Sequence, residues 1–151
     1  MHWVAVKHVL RYLYGNVGYG LRYTSNSDMR LVGYLDSDRA GSVEDQKSTS
    51  GCCFSFGSAM VSWCSRKQFA VSLSTVDAEY IATCMAAHEA VWLRKLIARL
   101  FGQMLEPTVI HCDNQSCVKM SINPVQHDRT KHVEMKYYYV REMVQRRAVE
   151  L

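Results

Sequence analysis

Apolar positions along the chain follow two periods, and the change from one to the other marks out the elements. Over residues 2–14, Trp3, Val6, Val9/Leu10 and Leu13 share one face at helical spacing, and Gly15-Asn16 ends the helix. Residues 30–35 (RLVGYL) read as a strand running into Asp36, followed by a polar loop over 36–50 (DSDRAGSVEDQKSTS). GCCFSF and AMVSWC flank Gly57-Ser58, which suits a two-residue hairpin turn. A short apolar run, Phe69 to Leu73, leads to Ser74, and a long helix is predicted from about Thr75 to Leu100. Its apolar stripe comprises Ala78, Ile81/Ala82, Met85, Trp92/Leu93, Leu96/Ile97 and Leu100. Ser74 with Asp77 makes its N-cap, and Gly102 ends it. Pro107 precedes a short buried-type strand, TVIHC, that stops at Asp113. A brief helix over 114–122 is broken by Asn123-Pro124, a last helix spans about 131–147, and AVEL reads as the start of another strand. Strands first, then helix, strand and helix, predict an α/β sheet with an antiparallel meander and a parallel addition.

The chain has 151 residues, 48% hydrophobic and 21% charged, with Gly and Pro together only 10, which fits one globular domain rather than a disordered or fibrous chain. Uninterrupted apolar stretches reach only four residues, as at Ala90 to Leu93, against the ~18 needed to span a membrane. Residues 1–14 carry cations among their apolar positions, so no signal-peptide core is present, and a soluble intracellular protein is expected. In a reducing compartment the six cysteines are expected to be free thiols, with no disulfide-linked partner. The net charge is +4, a mild hint of an anionic partner. Cations crowd residues 127–147, where Arg129, Lys131, Lys136, Arg141, Arg146 and Arg147 join His127 and His132 against Asp128, Glu134 and Glu142. A solvated helix face is the plainer account of that run.

Three carboxylates fall where an open α/β sheet presents ligands, beyond the carboxyl ends of its strands. Asp36 follows the first strand, Asp113 follows the fourth, and Glu79 lies just inside the long helix. If the first and fourth strands are neighbours, Asp36 and Asp113 stand side by side and Glu79 projects across them. Clustered carboxylates repel unless cations neutralise them, and hard oxygen ligands suit Mg²⁺ or Mn²⁺. By spacing alone, separate solvated acids or cap carboxylates account for the same residues, since 14 acids in 151 positions give many accidental triples.

The motifs around those acids are more specific. GYLDSDRAGSVEDQKSTSG (33–51), VSWCSRKQ (61–68), LSTVDAEYIA (73–82), AAHEAVWLRKL (86–96), CDNQS (112–116) and NPVQHDRTKHVEMKYYYVRE (123–142) occur in order. Residues 31–151 thereby resemble the ribonuclease H domain of copia-type LTR retrotransposon Pol polyproteins. HWVAVKHVLRYLYGNVGYGLRY (2–23) is similar to the connecting segment upstream of that domain. The resemblance implies a ribonuclease H-like mixed five-stranded sheet flanked by helices, with residues 1–29 as the connection from a reverse transcriptase region and 30–151 as the domain. It implies metal-dependent hydrolysis of the RNA strand of RNA–DNA hybrids during reverse transcription. The catalytic metal ligands would be Asp36, Glu79 and Asp113, holding two Mg²⁺ or Mn²⁺ ions. The partners it implies are the hybrid and the reverse transcriptase domain of the same polyprotein, with no membrane. The place of action would be the cytoplasm, in a virus-like particle for an intact element. Ser74, Thr75, Asn114 and Gln115 border the site and could contact phosphates or 2′-hydroxyls, although cap and turn roles explain them equally well. Asp38 is the runner-up for the first ligand because it shares Asp36's face on an extended segment. Glu44, Asp45 and Asp77 read as loop and cap acids.

The chain departs from the family pattern in places. The fourth acidic ligand of relatives lies in a helix after the strand that AVEL begins, so the last strand and final helix are expected to be truncated and the isolated chain unstable, weakly active or inactive. Glu134 is no substitute for that ligand. Arg39 stands where relatives usually have Trp, and Asp77 where Glu is usual. The alternative to an enzyme is a catalytically inactive nucleic-acid-binding remnant or a decayed element. A zinc reading of Cys112-x4-Cys117-x9-His127-x4-His132 fits poorly, because Asp113 and a helix separate the cysteines.

Overall fold

The computed structural model describes residues 2–25, 28–102, 106–122 and 131–151, with the backbone alone over 131–137. Nine elements follow in chain order: α1 (His2–Gly15), β1 (Leu31–Asp38), β2 (Thr49–Phe56), β3 (Ala59–Lys67), α2 (Thr75–Phe101), β4 (Thr108–His111), α3 (Gln115–Ile122), α4 (Lys131–Gln145) and β5 (Val149–Glu150). The strands form one open sheet in the order β3-β2-β1-β4-β5. β1, β2 and β3 pair antiparallel, while β4 and β5 are added in parallel, so the predicted meander with a parallel addition is what the chain builds. The β2–β3 turn falls at Gly57, whose φ of 65° suits a residue without a Cβ.

β1 explains how the sheet is both buried and exposed. Leu31, Gly33 and Leu35 face the core, while Tyr34, Asp36 and Asp38 alternate outward. Gly33 is required by packing, since a Cβ there would meet Cε1 of the fully buried Phe54 at 2.5 Å. β1 also runs further than the hydrophobic pattern predicts. Pairing with β2 continues through Asp36↔Gly51 and Asp38↔Thr49, so the polar loop is confined to 39–48 and Asp36 lies inside the strand rather than after it.

Helix α2 crosses the core face of the sheet. Ser74 Oγ accepts from the Asp77 amide at 3.1 Å, and Gly102 ends the helix in the left-handed region, so both caps stand as predicted. The buried stripe is corrected in part: Ala78, Ala82, Leu93 and Ile97 are buried as predicted. Trp92, Leu96 and Leu100 are exposed, whereas Glu79, Tyr80, Thr83 and Cys84 are buried. The cause is two-sided packing. α2 lies on β1 and β2 on one side and on α3 and α4 on the other, which calls for small residues such as Ala82, Ala86, Ala87 and Ala90 around its circumference. One apolar cluster joins Leu35, Phe54, Leu93 and Ile110 under the sheet, and a second gathers Tyr80, Cys84, Cys117 and Val140 between the helices. α1 has no buried residue and packs on no other described element. The chain after it is tied to the hairpin, with the Tyr23 hydroxyl donating to the Met60 carbonyl at 2.7 Å and the Thr24 amide to Ser58 Oγ at 2.9 Å.

Candidate active site

The parallel pairing of β1 with β4 matches Val32 to Val109, Gly33 to Ile110 and Tyr34 to His111. Continuing that register past the last paired residues brings Asp36 level with Asp113. Glu79 comes from the second turn of α2, which lies over both strands. A carboxylate oxygen of Glu79, one of Asp113 and Sγ of Cys112 all lie within 4.8 Å of one another. Asp36 is not a member of that group, although its charge acts on Glu79. Asp38 points elsewhere: its carboxylate lies over Gly41, at 2.1 Å from where a Cβ would stand.

Glu79 carries the electrostatic record of the site. Its carboxyl is pushed up to about 7, first by burial, then by the negative charges of Asp113 and Asp36. Ser37 lies beside it and tempers the rise, but not in a geometry that satisfies either partner. Oε2 of Glu79 and Oγ of Ser37 are both buried with no hydrogen-bond partner. A buried, unpartnered carboxylate oxygen among like charges is destabilising as it stands and is relieved by a cation. The donor set therefore fits a divalent metal ion, with Glu79 and Asp113 as its clearest oxygen ligands.

The surrounding polar residues sort into scaffolds and free groups. Asn114 Oδ1 accepts from the Ser116 and Cys117 amides at 3.1 Å each, capping α3, and Ser74 caps α2, so the cap reading holds for both. Thr75 and Gln115 open α2 and α3 and are solvent-exposed. Asp77 accepts from Ser74 Oγ at 2.9 Å, and Asp45 pairs with Lys67 at 2.9 Å, as expected of cap and loop acids. Of the basic run, Arg146 pairs with Glu142 and Arg141 donates to the Met120 carbonyl. Asn123, Pro124, His127, Asp128 and Arg129 lie outside the described residues, as do the side chains of Lys131, His132, Glu134 and Lys136.

Three residues have roles that the sequence reading does not assign them. Cys112 is expected as a free thiol outside any metal site, yet it stands in the carboxylate cluster, and its place immediately before Asp113 is the available signal. Its thiol is lowered, chiefly by a hydrogen bond with Cys117, whose own thiol is raised. Gln68 is buried and links three segments: Nε2 donates to Ser50 Oγ at 2.7 Å and the Ala78 carbonyl at 3.0 Å, while Oε1 accepts from Ser72 at 2.7 Å. Arg39 donates to the Leu73 carbonyl at 3.1 Å, tying the loop after β1 to the entry of α2. A separate cleft of about 440 Å³, lined by Cys52, Cys64, Arg66, Met85, His88, Glu89 and Trp92, contains none of the site residues.

No family model matches the chain. It is 43% identical over 143 residues to the retrovirus-related Pol polyprotein from transposon TNT 1-94 of Nicotiana tabacum, covering 95% of this chain and 11% of that one. Against the retrovirus-related Pol polyprotein from transposon RE2 of Arabidopsis thaliana it is 37% identical over 150 residues, covering 99% of this chain and 10% of the relative. Over nearly its whole length the chain is thus homologous to a segment of retrovirus-related Pol polyproteins of plant transposons. It spans about a tenth of the length of these two Pol relatives. A shorter relative, the secreted RxLR effector protein 161 of Plasmopara viticola, is 50% identical over 101 residues, or 67% of this chain and 71% of that protein. In the fold comparison, a ribonuclease H1 isolated from compost superposes with a TM-score of 0.55 at 14% identity, covering 80% of this chain and 79% of that one. A structure of that compost enzyme in complex with an RNA/DNA hybrid matches with a TM-score of 0.54 at 11% identity, covering 79% of each chain. The chain thus has the ribonuclease H fold: a mixed, open five-stranded sheet with flanking helices. Among the described residues no helix is long and apolar enough to cross a membrane, and all six cysteines are free.

Proposed function

We propose that this chain is the ribonuclease H segment of a retrotransposon Pol polyprotein and hydrolyses the RNA strand of RNA–DNA hybrids. The observation that carries the reading is the convergence of Glu79 and Asp113 beside β1, with a buried, unpartnered oxygen on Glu79. Asp36, Glu79 and Asp113 would hold Mg²⁺ or Mn²⁺. Such ions would supply water activation at neutral pH and charge stabilisation for phosphodiester hydrolysis. The chain's own residues set the geometry. Ser74 and Gln68 hold the start of α2, and with it Glu79, while the Asn114 cap holds the turn that carries Asp113. Exposed Thr75 and Gln115 sit at the two helix entrances, where a phosphate or a 2′-hydroxyl of bound RNA would be contacted. A reverse transcriptase domain in the same polyprotein, acting in the cytoplasm, would hold the hybrid and raise its effective concentration at this site. Residues 1–29 would form the connection to that domain and 30–151 the nuclease.

The deciding experiment is cleavage of a labelled RNA–DNA hybrid in Mg²⁺ and in Mn²⁺. Weak cleavage is expected with both ions, and Asp113→Asn should reduce it roughly 10²–10³-fold, the scale of losing one electrostatic partner of a transition state. A second reading, hybrid binding without hydrolysis, is favoured by the position of Asp36 outside the tight group. It predicts salt-sensitive hybrid binding that Asp113→Asn leaves intact, with no cleavage in either ion.

A further inference from the structure

The third member of the carboxylate cluster is a thiol, and a thiol selects different ions from those an all-oxygen site selects. Mg²⁺ takes oxygen ligands in near-octahedral geometry, whereas zinc-class ions accept sulfur and oxygen together in a tetrahedron with M–S about 2.3 Å and M–O about 2.0–2.2 Å. Ligand atoms within 4.8 Å of one another, as those of Glu79, Cys112 and Asp113 are, can share one such ion. Two observations show the group is built rather than accidental. Glu79 is only 7% exposed and its Oε2 lacks any partner. Cys112 is half-buried, followed directly by Asp113, and backed by Cys117, which Thr83 Oγ1 contacts at 3.2 Å.

We propose that Glu79, Cys112 and Asp113 form a mixed sulfur–oxygen site for a thiophilic divalent cation of the zinc class. Three protein ligands leave a fourth position for water. Two of the three are carboxylates assigned above to Mg²⁺ or Mn²⁺, so the zinc-class ion competes with the hard ion. That competition rests on the proposed nuclease reading, while binding itself rests on the geometry alone. The site differs from the Cys112, Cys117, His127, His132 spacing, because Cys117 is fully buried against Thr83 and supplies no ligand here.

The test titrates the whole chain with Cd²⁺ and follows the ultraviolet thiolate-to-cadmium charge-transfer band. The band should saturate near about one equivalent and be lost in Cys112→Ser. In parallel, wild-type protein is alkylated with iodoacetamide and each cysteine is read by peptide mass. Zn²⁺ should slow modification of Cys112 at least ~10-fold, as occupancy of a thiolate by metal requires, while Mg²⁺ does not and Cys53 is unaffected by either. A band that persists in Cys112→Ser, or Cys112 alkylation unchanged by Zn²⁺ in wild type, overturns the proposal. The alkylation arm does not depend on the variant folding. Hybrid cleavage without a cadmium band would sink this inference and leave the nuclease reading standing. A band with zinc protection but no cleavage would do the reverse.

Discussion

Glu79 is the residue on which the proposed chemistry turns, and its titration gives a prediction that needs no substrate. Burial and the charges of Asp113 and Asp36 raise its carboxyl from 4.5 to about 7, so the folded chain holds a proton that the unfolded chain has lost across that interval. The sign follows directly. In chelator, the contribution is fully present below pH 4.5 and is lost as pH rises through about 7. Denaturant midpoints measured in chelator should therefore fall over this window, Glu79→Gln should flatten that part of the profile, and saturating Mn²⁺ should do the same by binding the ionised form. A wild-type midpoint that rises between pH 5 and 7 as much as that of Glu79→Gln would contradict the assignment. Two of the residues that the structure brings together, Glu79 and Asp113, were legible in the chain, because DAEY and CDNQS mark them. Cys112 was not legible, because a thiol beside apolar residues reads the same whether it fills a core or faces a carboxylate. Only the turn after β4, which brings Asp113 and Cys112 to one point, separates the two.

Elements hold the site through a few buried polar and tight apolar contacts. Gln68 joins the end of β3 to Ser50 of β2 and to the first turn of α2 through the Ala78 carbonyl, next to Glu79. Gln68→Ala strands these acceptors in the interior and should lower stability by about 2–4 kcal/mol, from ~1–3 kcal/mol per unsatisfied buried group. Thermal melts check the magnitude, and a larger fractional loss of hybrid cleavage than of stability would show that the start of α2 positions Glu79. At Gly33, a valine would drive a methyl-bearing carbon into the Phe54 ring, so Gly33→Val should cost about 1–3 kcal/mol by overpacking, measurable by chemical denaturation. The order of elements was readable from period and punctuation because Gly57, Ser74 and Gly102 act locally. The face of α2 was not. An amphipathic count places Trp92, Leu96 and Leu100 inward, but a helix covered on two sides near its start and exposed near its end has no single stripe. Its buried set is chosen by what lies opposite, as with Tyr80 against Cys117 and Val140. Strand length was likewise decided by a partner, since polar Asp36, Ser37 and Asp38 are strand residues only because β2 pairs with them.

Across the whole molecule, stability should be distributed unevenly, with a break between α1 and the rest. α1 exposes Trp3, Leu10 and Leu13 at more than half of their surface and buries none of its residues. A 14-residue helix without tertiary packing is marginal in water, because nucleation is unfavourable and propagation adds little per residue. By contrast, β1, β2 and β4 with α2 enclose the main apolar cluster, so their amides are expected to open only with the global transition. Native-state hydrogen exchange should show α1 amides exchanging with little dependence on denaturant, and core amides of Leu35, Phe54 and Ile110 converging on the global unfolding free energy. Tyr23 and Thr24 place the boundary, since they are bound to the β2–β3 hairpin while Gly15 and the helix before it are not. Removing residues 1–21 should therefore leave the melting temperature of the sheet within about 2–3 °C, given that changes away from packed or buried features stay within ~0.5 kcal/mol. Removal through residue 25 should lower it further, by severing the hairpin contacts of Arg22, Tyr23 and Thr24. Equal protection of α1 and the core, or a large loss on the shorter truncation, would mean that α1 is an integral part of the folded unit. The opposite result would place the mechanical boundary of this chain between α1 and the hairpin contacts, leaving the carboxylate and thiol site entirely on the sheet side of it.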